Sequence, residues 1–167
     1  MKKLLLISLV LFALVGCGQK EVEEEPTEEK VTIANPFYNY DTLEEAIAGA
    51  TVTMNIPETV GEYTTVSEYR AIPGKLLEII YLDEQENMLK IRKAHGQDDI
   101  SGYYGSEVFE EIEMDLDGVT LNICMQDGLV YVATWLSESE TFGMTADMGI
   151  SEADFLLLAK TMLIDAQ

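Results

Sequence analysis

Histidine is almost missing from this chain, and positive charge is scarce. His95 is the one imidazole, and ten Lys and Arg stand against 31 Asp and Glu, for a formal net charge of −21. A single histidine leaves His-based acid–base chemistry and a His-rich metal site without their usual groups. A surface this acidic repels nucleic acid, so no nucleic-acid partner is expected. Cysteine is limited to Cys17 and Cys124, too few for a disulfide framework. The apolar block from Leu4 to Gly16 falls short of the ~20 residues a membrane-spanning helix needs. G-x-S-x-G, H-E-x-x-H, P-loop and C-x-x-C patterns are all absent. Acids are plentiful, yet nothing singles out the carboxylate pair of a sugar hydrolase. The expectation is a protein that is not an enzyme, with no cofactor and no metal.

What is present begins with an address. Lys2 and Lys3 precede the apolar block, which ends Leu14-Val15-Gly16-Cys17. A basic head followed by a short apolar core is an export signal, and the last four residues resemble the lipobox of bacterial lipoproteins. That resemblance implies cleavage before Cys17 and a diacylglyceryl group on its thiol. Each buried CH₂ contributes about 0.8 kcal/mol, so two acyl chains hold stably where one does not. Six glutamates then crowd "EVEEEPTEEK" at 21–30. With no apolar period, the stretch reads as a self-repelling spacer. The expected organisation is a signal peptide at 1–16, a lipidated Cys17 with an acidic tether at 17–30, and one domain at 31–167. The location is the cell membrane, lipid-anchored and facing outside the cytoplasm. Residues 31–167 contain 25 acids, and their strong cations are Arg70, Lys75, Lys90, Arg92, Lys93 and Lys160.

The domain is long enough for a core of its own. "DTLEEAIAGA" at 41–50 predicts a short helix capped by Asp41 or Thr42, with Leu43, Ala46, Ile47 and Ala50 as its stripe and Gly49 as its end. From residue 62 the apolar period becomes two. Strands are predicted over 62–72, over "KLLEIIYLD", with Leu77, Ile79 and Tyr81 on one face and Glu78 on the other, and over "MLKIRKA", the last two as a hairpin. Asp117-Gly118 and Asp127-Gly128 separate three further alternating runs, in which Val108, Ile112 and Met114, then Val119, Leu121, Ile123 and Met125, then Leu129, Tyr131, Ala133 and Trp135 fall in phase. Asp-Gly at such positions signals type I′ hairpins. "TFGMTADM" is one more strand, with Phe142, Met144, Ala146 and Met148 in phase. A C-terminal helix begins at Ser151, with Phe155, Leu158, Ala159 and Met162 as its stripe and Leu156, Leu157 and Leu163 widening it. The fold class is α+β: a single, mostly antiparallel sheet of six or seven strands, with a short N-terminal helix and a C-terminal helix packed on one face.

"LEIIY" at 77–81, "LKIRKA" at 89–94, "DDISGYY" at 98–104, "VTL" at 119–121, "VYVATW" at 130–135 and "GISEADFLLLAKTM" at 149–162 together resemble a bacterial domain family of unknown function. The family occurs in Gram-positive lipoproteins and in extracytoplasmic parts of anti-sigma-like membrane proteins. Thr141-Phe142-Gly143 departs from it, with one aromatic where the family pattern has a pair. The resemblance implies an α+β envelope domain without enzyme activity.

Three functions follow as expectations. The first is a non-enzymatic binding module, anchored to the membrane through Cys17, that takes an envelope protein or a small ligand. Its candidate loop carries Asp98, Asp99, Tyr103 and Tyr104, next to Lys90, Arg92 and Lys93, which are placed to pair with the aspartates. The second is a carrier or sensor of an apolar ligand, held in a cavity lined by Met114, Met125, Met144 and Met148, since methionine adapts to varied apolar partners. The third, an envelope-sugar hydrolase, is prompted only by the abundance of acids. Cys124 is expected to be structural.

Overall fold

In the computed structural model, residues 35–96, 98–105 and 109–164 are described. Cys17, the tether and Val108 lie outside them. The compact unit begins at Asn35.

Among the described residues, eight strands form one sheet. In chain order the elements are β1 (Tyr38–Tyr40), α1 (Leu43–Ala50), β2 (Thr65–Ile72), β3 (Leu76–Leu82), β4 (Met88–His95), β5 (Glu110–Leu116), β6 (Val119–Gln126), β7 (Leu129–Ser137), β8 (Glu140–Ser151) and α2 (Glu152–Leu163). The spatial order is β1-β2-β3-β4-β8-β7-β6-β5, and every neighbouring pair is antiparallel. The α+β class stands, but the strand count of six or seven is corrected to eight, and a strand precedes the first helix. Three residues, Tyr-Asn-Tyr, are too few for an alternation to show in β1.

Local chemistry accounts for the punctuation. Thr42 Oγ1 accepts the Glu45 N–H at 3.2 Å, capping α1. The helix ends on Thr51, which takes the left-handed conformation (φ 59°), rather than on Gly49. Ser151 Oγ accepts the Asp154 N–H at 3.2 Å and donates to Asp154 Oδ2 at 2.6 Å, fixing the start of α2. Both Asp-Gly pairs have two positive φ angles, as a type I′ turn requires.

The two helices share one core with one face of the sheet. Ala46 and Ala50 of α1 and Phe155, Leu158, Ala159 and Met162 of α2 are buried with Leu77, Ile79, Tyr81, Leu89, Ile91, Leu121, Ile123, Ala133, Phe142 and Met144. Trp135 stacks on Phe142 at 5.3 Å and meets Phe155 edge-on at 6.0 Å. Aromatic pairs of this kind add ~0.5–1.5 kcal/mol beyond area burial. Tyr81 OH donates to the Pro57 carbonyl at 2.8 Å, and burial pushes its pKa far above the ordinary phenol value. Lys93 also lies on this face. It is fully buried, donating to the Thr53 carbonyl at 2.7 Å and pairing with Glu140 at 2.8 Å. It thereby ties the segment after α1 to β4 and β8.

Two phases differ from the sequence expectation. Cys124 pairs with Val132 but Met125 with Val130, so Tyr131 is the extra residue of a β-bulge. The bulge puts Val130 in the core and removes Tyr131 and Leu129 from the Ala133–Trp135 phase. The β7–β8 register shifts at the same place, and Met148 is 57% exposed rather than core-facing. Leu157 is likewise exposed, so the apolar widening of α2 is only partly covered.

Candidate binding face

Among the described residues, no helix covers the other face of the sheet. Across its middle the register aligns Arg70, Glu78, Arg92, Gly143, Thr134, Asn122 and Glu113 in one row. This row divides into two chemically unlike halves.

In the β2–β4 half, charge is buried and matched. The Glu78 side chain has no exposure and sits between two guanidinium groups. Arg70 Nε donates to its Oε1 at 2.7 Å, and the Arg70 Nη2 contacts the same oxygen. Arg92 Nε donates to Oε2 at 2.6 Å. Phe37 lies 5.0 Å from the Arg70 guanidinium, as a cation–π lid. Sequence reading placed Glu78 opposite Leu77 but missed its role. The signal was a lone acid inside "LLEIIY", followed two residues on by Ile80, which is also buried on this face.

The loop after β4 folds back over β8. Arg92 Nη1 donates to the Ile100 carbonyl at 3.0 Å, which holds the loop down. At Gly143 a Cβ would meet backbone atoms of Ile100 and Ser101 at 3.1 Å. The glycine in Thr141-Phe142-Gly143 therefore provides the space for the loop. Gly102, at φ 67°, leaves room for the Arg92 guanidinium, which a side chain there would strike.

The candidate loop residues separate. Asp99 Oδ1 accepts the Ser101 N–H at 2.8 Å and Ser101 Oγ accepts the Tyr103 N–H at 3.3 Å, so Asp99 shapes the turn. Tyr103 lies 5.6 Å from Phe109, which stacks on Tyr131 at 5.3 Å. Asp98 is exposed, and Tyr104 is 97% exposed. The expected pairing of these aspartates with Arg92 and Lys93 gives way to other partners: Arg92 serves Glu78 and Lys93 serves Glu140.

In the β5–β7 half the face is open. A groove of about 520 Å³ runs between the loop and the strands, lined by Asp99, Ser101, Tyr103, Glu111, Glu113, Asn122, Cys124 and Thr134 among others. A smaller one, about 250 Å³, lies on the other side of Tyr103, beside Phe109 and Tyr131. Glu111, Glu113 and Asp115 stand exposed in a column on β5. From Ala94 to Ala159 the chain carries no Lys or Arg, so β6 and β7 supply no cation to neutralise this column. Cys124 is half-buried in the groove. Burial, and then the charges of Glu111 and Asp99, push its thiol pKa up, which keeps it a poor nucleophile.

The methionines divide too. Met144 is fully buried, Met125 is nearly so, and Met114 packs partly buried against the core. Met148 instead lines a groove of about 300 Å³ near the start of α2. Met114, Met125 and Met144 line none of these three grooves. Among the described residues no group of three or more His, Cys, Asp or Glu is placed to hold a metal ion. Among them, too, no helix is long and apolar enough to cross a membrane.

These features define a class: an α+β domain with helices on one side of an antiparallel sheet and a polar, partly open face on the other. No protein-family model matches the chain, and no solved structure matches it. A stretch of 80 residues, 48% of the chain, is 39% identical to part of the 2-isopropylmalate synthase of Microcystis aeruginosa. The synthases of a Nostoc species and of Crocosphaera subtropica are similar over 80 residues at 39% and 38% identity. In each case the match spans 14% of the enzyme's length.

Proposed function

We propose that this protein is a lipid-anchored, extracytoplasmic binding module that takes a partner on the helix-free face of its sheet. The observation that carries the reading is the open acidic half of that face, β5 to β7, beside a loop clamped in place by Arg92 and Gly143. An open groove lined by polar side chains suits recognition. The anchor rests on Leu14-Val15-Gly16-Cys17 and the spacer on the glutamates of 21–29. A non-enzymatic role is favoured because the groove's thiol, Cys124, has its pKa raised by burial and by the carboxylates of Glu111 and Asp99, the opposite of the cationic surroundings that activate a cysteine. The synthases' activity is not carried over, since the shared stretch is 14% of their length. The apolar-carrier reading draws no support from Met144, which is core, or Met148, which is exposed.

Metabolic labelling with a fatty-acid analogue tests the anchor. Label is expected on the wild-type protein and lost in Cys17→Ala; equal label on both would remove the lipoprotein reading.

A further inference from the structure

We propose that the outer edge of β5 accepts an extended cationic segment of a partner protein as a further strand of the sheet. The inference rests on the binding-face reading and specifies its partner. Three observations converge on it.

The first is the edge itself. β5 ends the sheet order, and among the described residues it pairs with β6 alone. One side of a seven-residue strand therefore presents backbone N–H and C=O groups to whatever adds there. The opposite edge, β1, is only three residues long.

The second is charge. Glu111, Glu113 and Asp115 point to the helix-free face, and the chain has no Lys or Arg from Ala94 to Ala159. A second copy of this edge would set acid against acid, which disfavours self-pairing. A strand with Lys or Arg at alternate positions would set a cation beside each acid.

The third concerns the other alternation. Ile112 and Met114, on the core-facing side of β5, are only partly buried against the core. An incoming strand with apolar residues at its remaining positions would cover them. The occupant is thus an extended segment that alternates cationic and apolar residues.

The test uses the full-length protein in neutral detergent and a fluorescent octapeptide of alternating Lys and Val. Binding is read by anisotropy and the location by amide hydrogen exchange. The peptide is expected to bind, with affinity falling as salt rises, and to protect amides of β5. An alternating Glu/Val peptide, and the Lys/Val peptide N-methylated at every amide, are expected not to bind. Glu111→Lys with Glu113→Lys should weaken binding by about tenfold or more, whereas the two Gln substitutions should weaken it less. The exposed positions leave the thermal midpoint as the check that each variant is folded. Equal binding of the N-methylated peptide would reduce the effect to surface charge and overturn strand addition. So would absence of binding, or protection elsewhere than β5. If the peptide fails while photo-crosslinks from Glu113 still form in cells, strand addition alone falls. If both fail, the binding-face reading falls with it.

Discussion

The two halves of the helix-free face handle charge in opposite ways. Around β3, one carboxylate is buried between two guanidinium groups, with Phe37 and the 98–105 loop helping to close the site. Around β5, three carboxylates stand in solvent with no Lys or Arg on β5, β6 or β7. A buried charge must be matched, because desolvation is costly; an exposed one is free to wait for a partner. The first half therefore spends its charges on internal pairing, and the second leaves its acids in solvent, where the proposed partner would meet them.

Breaking the matched half has the largest expected effect. Glu78→Ala leaves two cations without their shared anion and should cost about 3–5 kcal/mol, read by chemical denaturation. Gly143→Ala attacks the boundary between the halves. Its Cβ would press on the Ile100–Ser101 backbone at 3.1 Å, and a loss of about 1–3 kcal/mol is expected. The open half should respond weakly in stability: Glu113→Gln is expected within about 0.5 kcal/mol of wild type. If Glu113→Gln proved as damaging as Glu78→Ala, the contrast would fail.

The open half should respond in reactivity instead. The Cys124 thiol pKa is raised by burial and by Glu111 and Asp99. At neutral pH its alkylation should be slow, and Glu111→Gln should lower the pKa and speed the reaction. The linkage sign follows from a raised folded pKa. The stabilising contribution is complete below the thiol's unfolded pKa and is lost as pH rises through the folded one. Tyr81, raised far more by burial, adds a second loss of the same sign at still higher pH.

Local signals made much of this fold legible. Asp-Gly pairs fixed the β5–β7 meander, since few dipeptides accept two positive φ angles. Ser151 and Thr42 marked the helix starts because their hydroxyls cap the first turns. Long-range features were not legible. Nothing in "LVYVATW" announces that Tyr131 is a bulge, and one extra residue resets the phase of everything before it. Of the loop candidates, Asp99 and Tyr103 do line the groove, while Asp98 and Tyr104 do not. That division depends on where the loop lands. The landing is set by Gly143, forty residues further on, and by Arg92 on the strand before the loop. The sequence placed Glu78 on the correct face, but a triad needs the registers of two separate strand pairs.

The central claim is that the open half of the helix-free face receives the partner, and site-specific photo-crosslinking in living cells tests it most directly. One crosslinker replaces Glu113 in the groove; another replaces Leu157, which is 62% exposed on α2 and lies away from that face. The account expects a discrete adduct from position 113, competed by excess alternating Lys/Val peptide, and none from position 157. An adduct from 157 with none from 113 would contradict it.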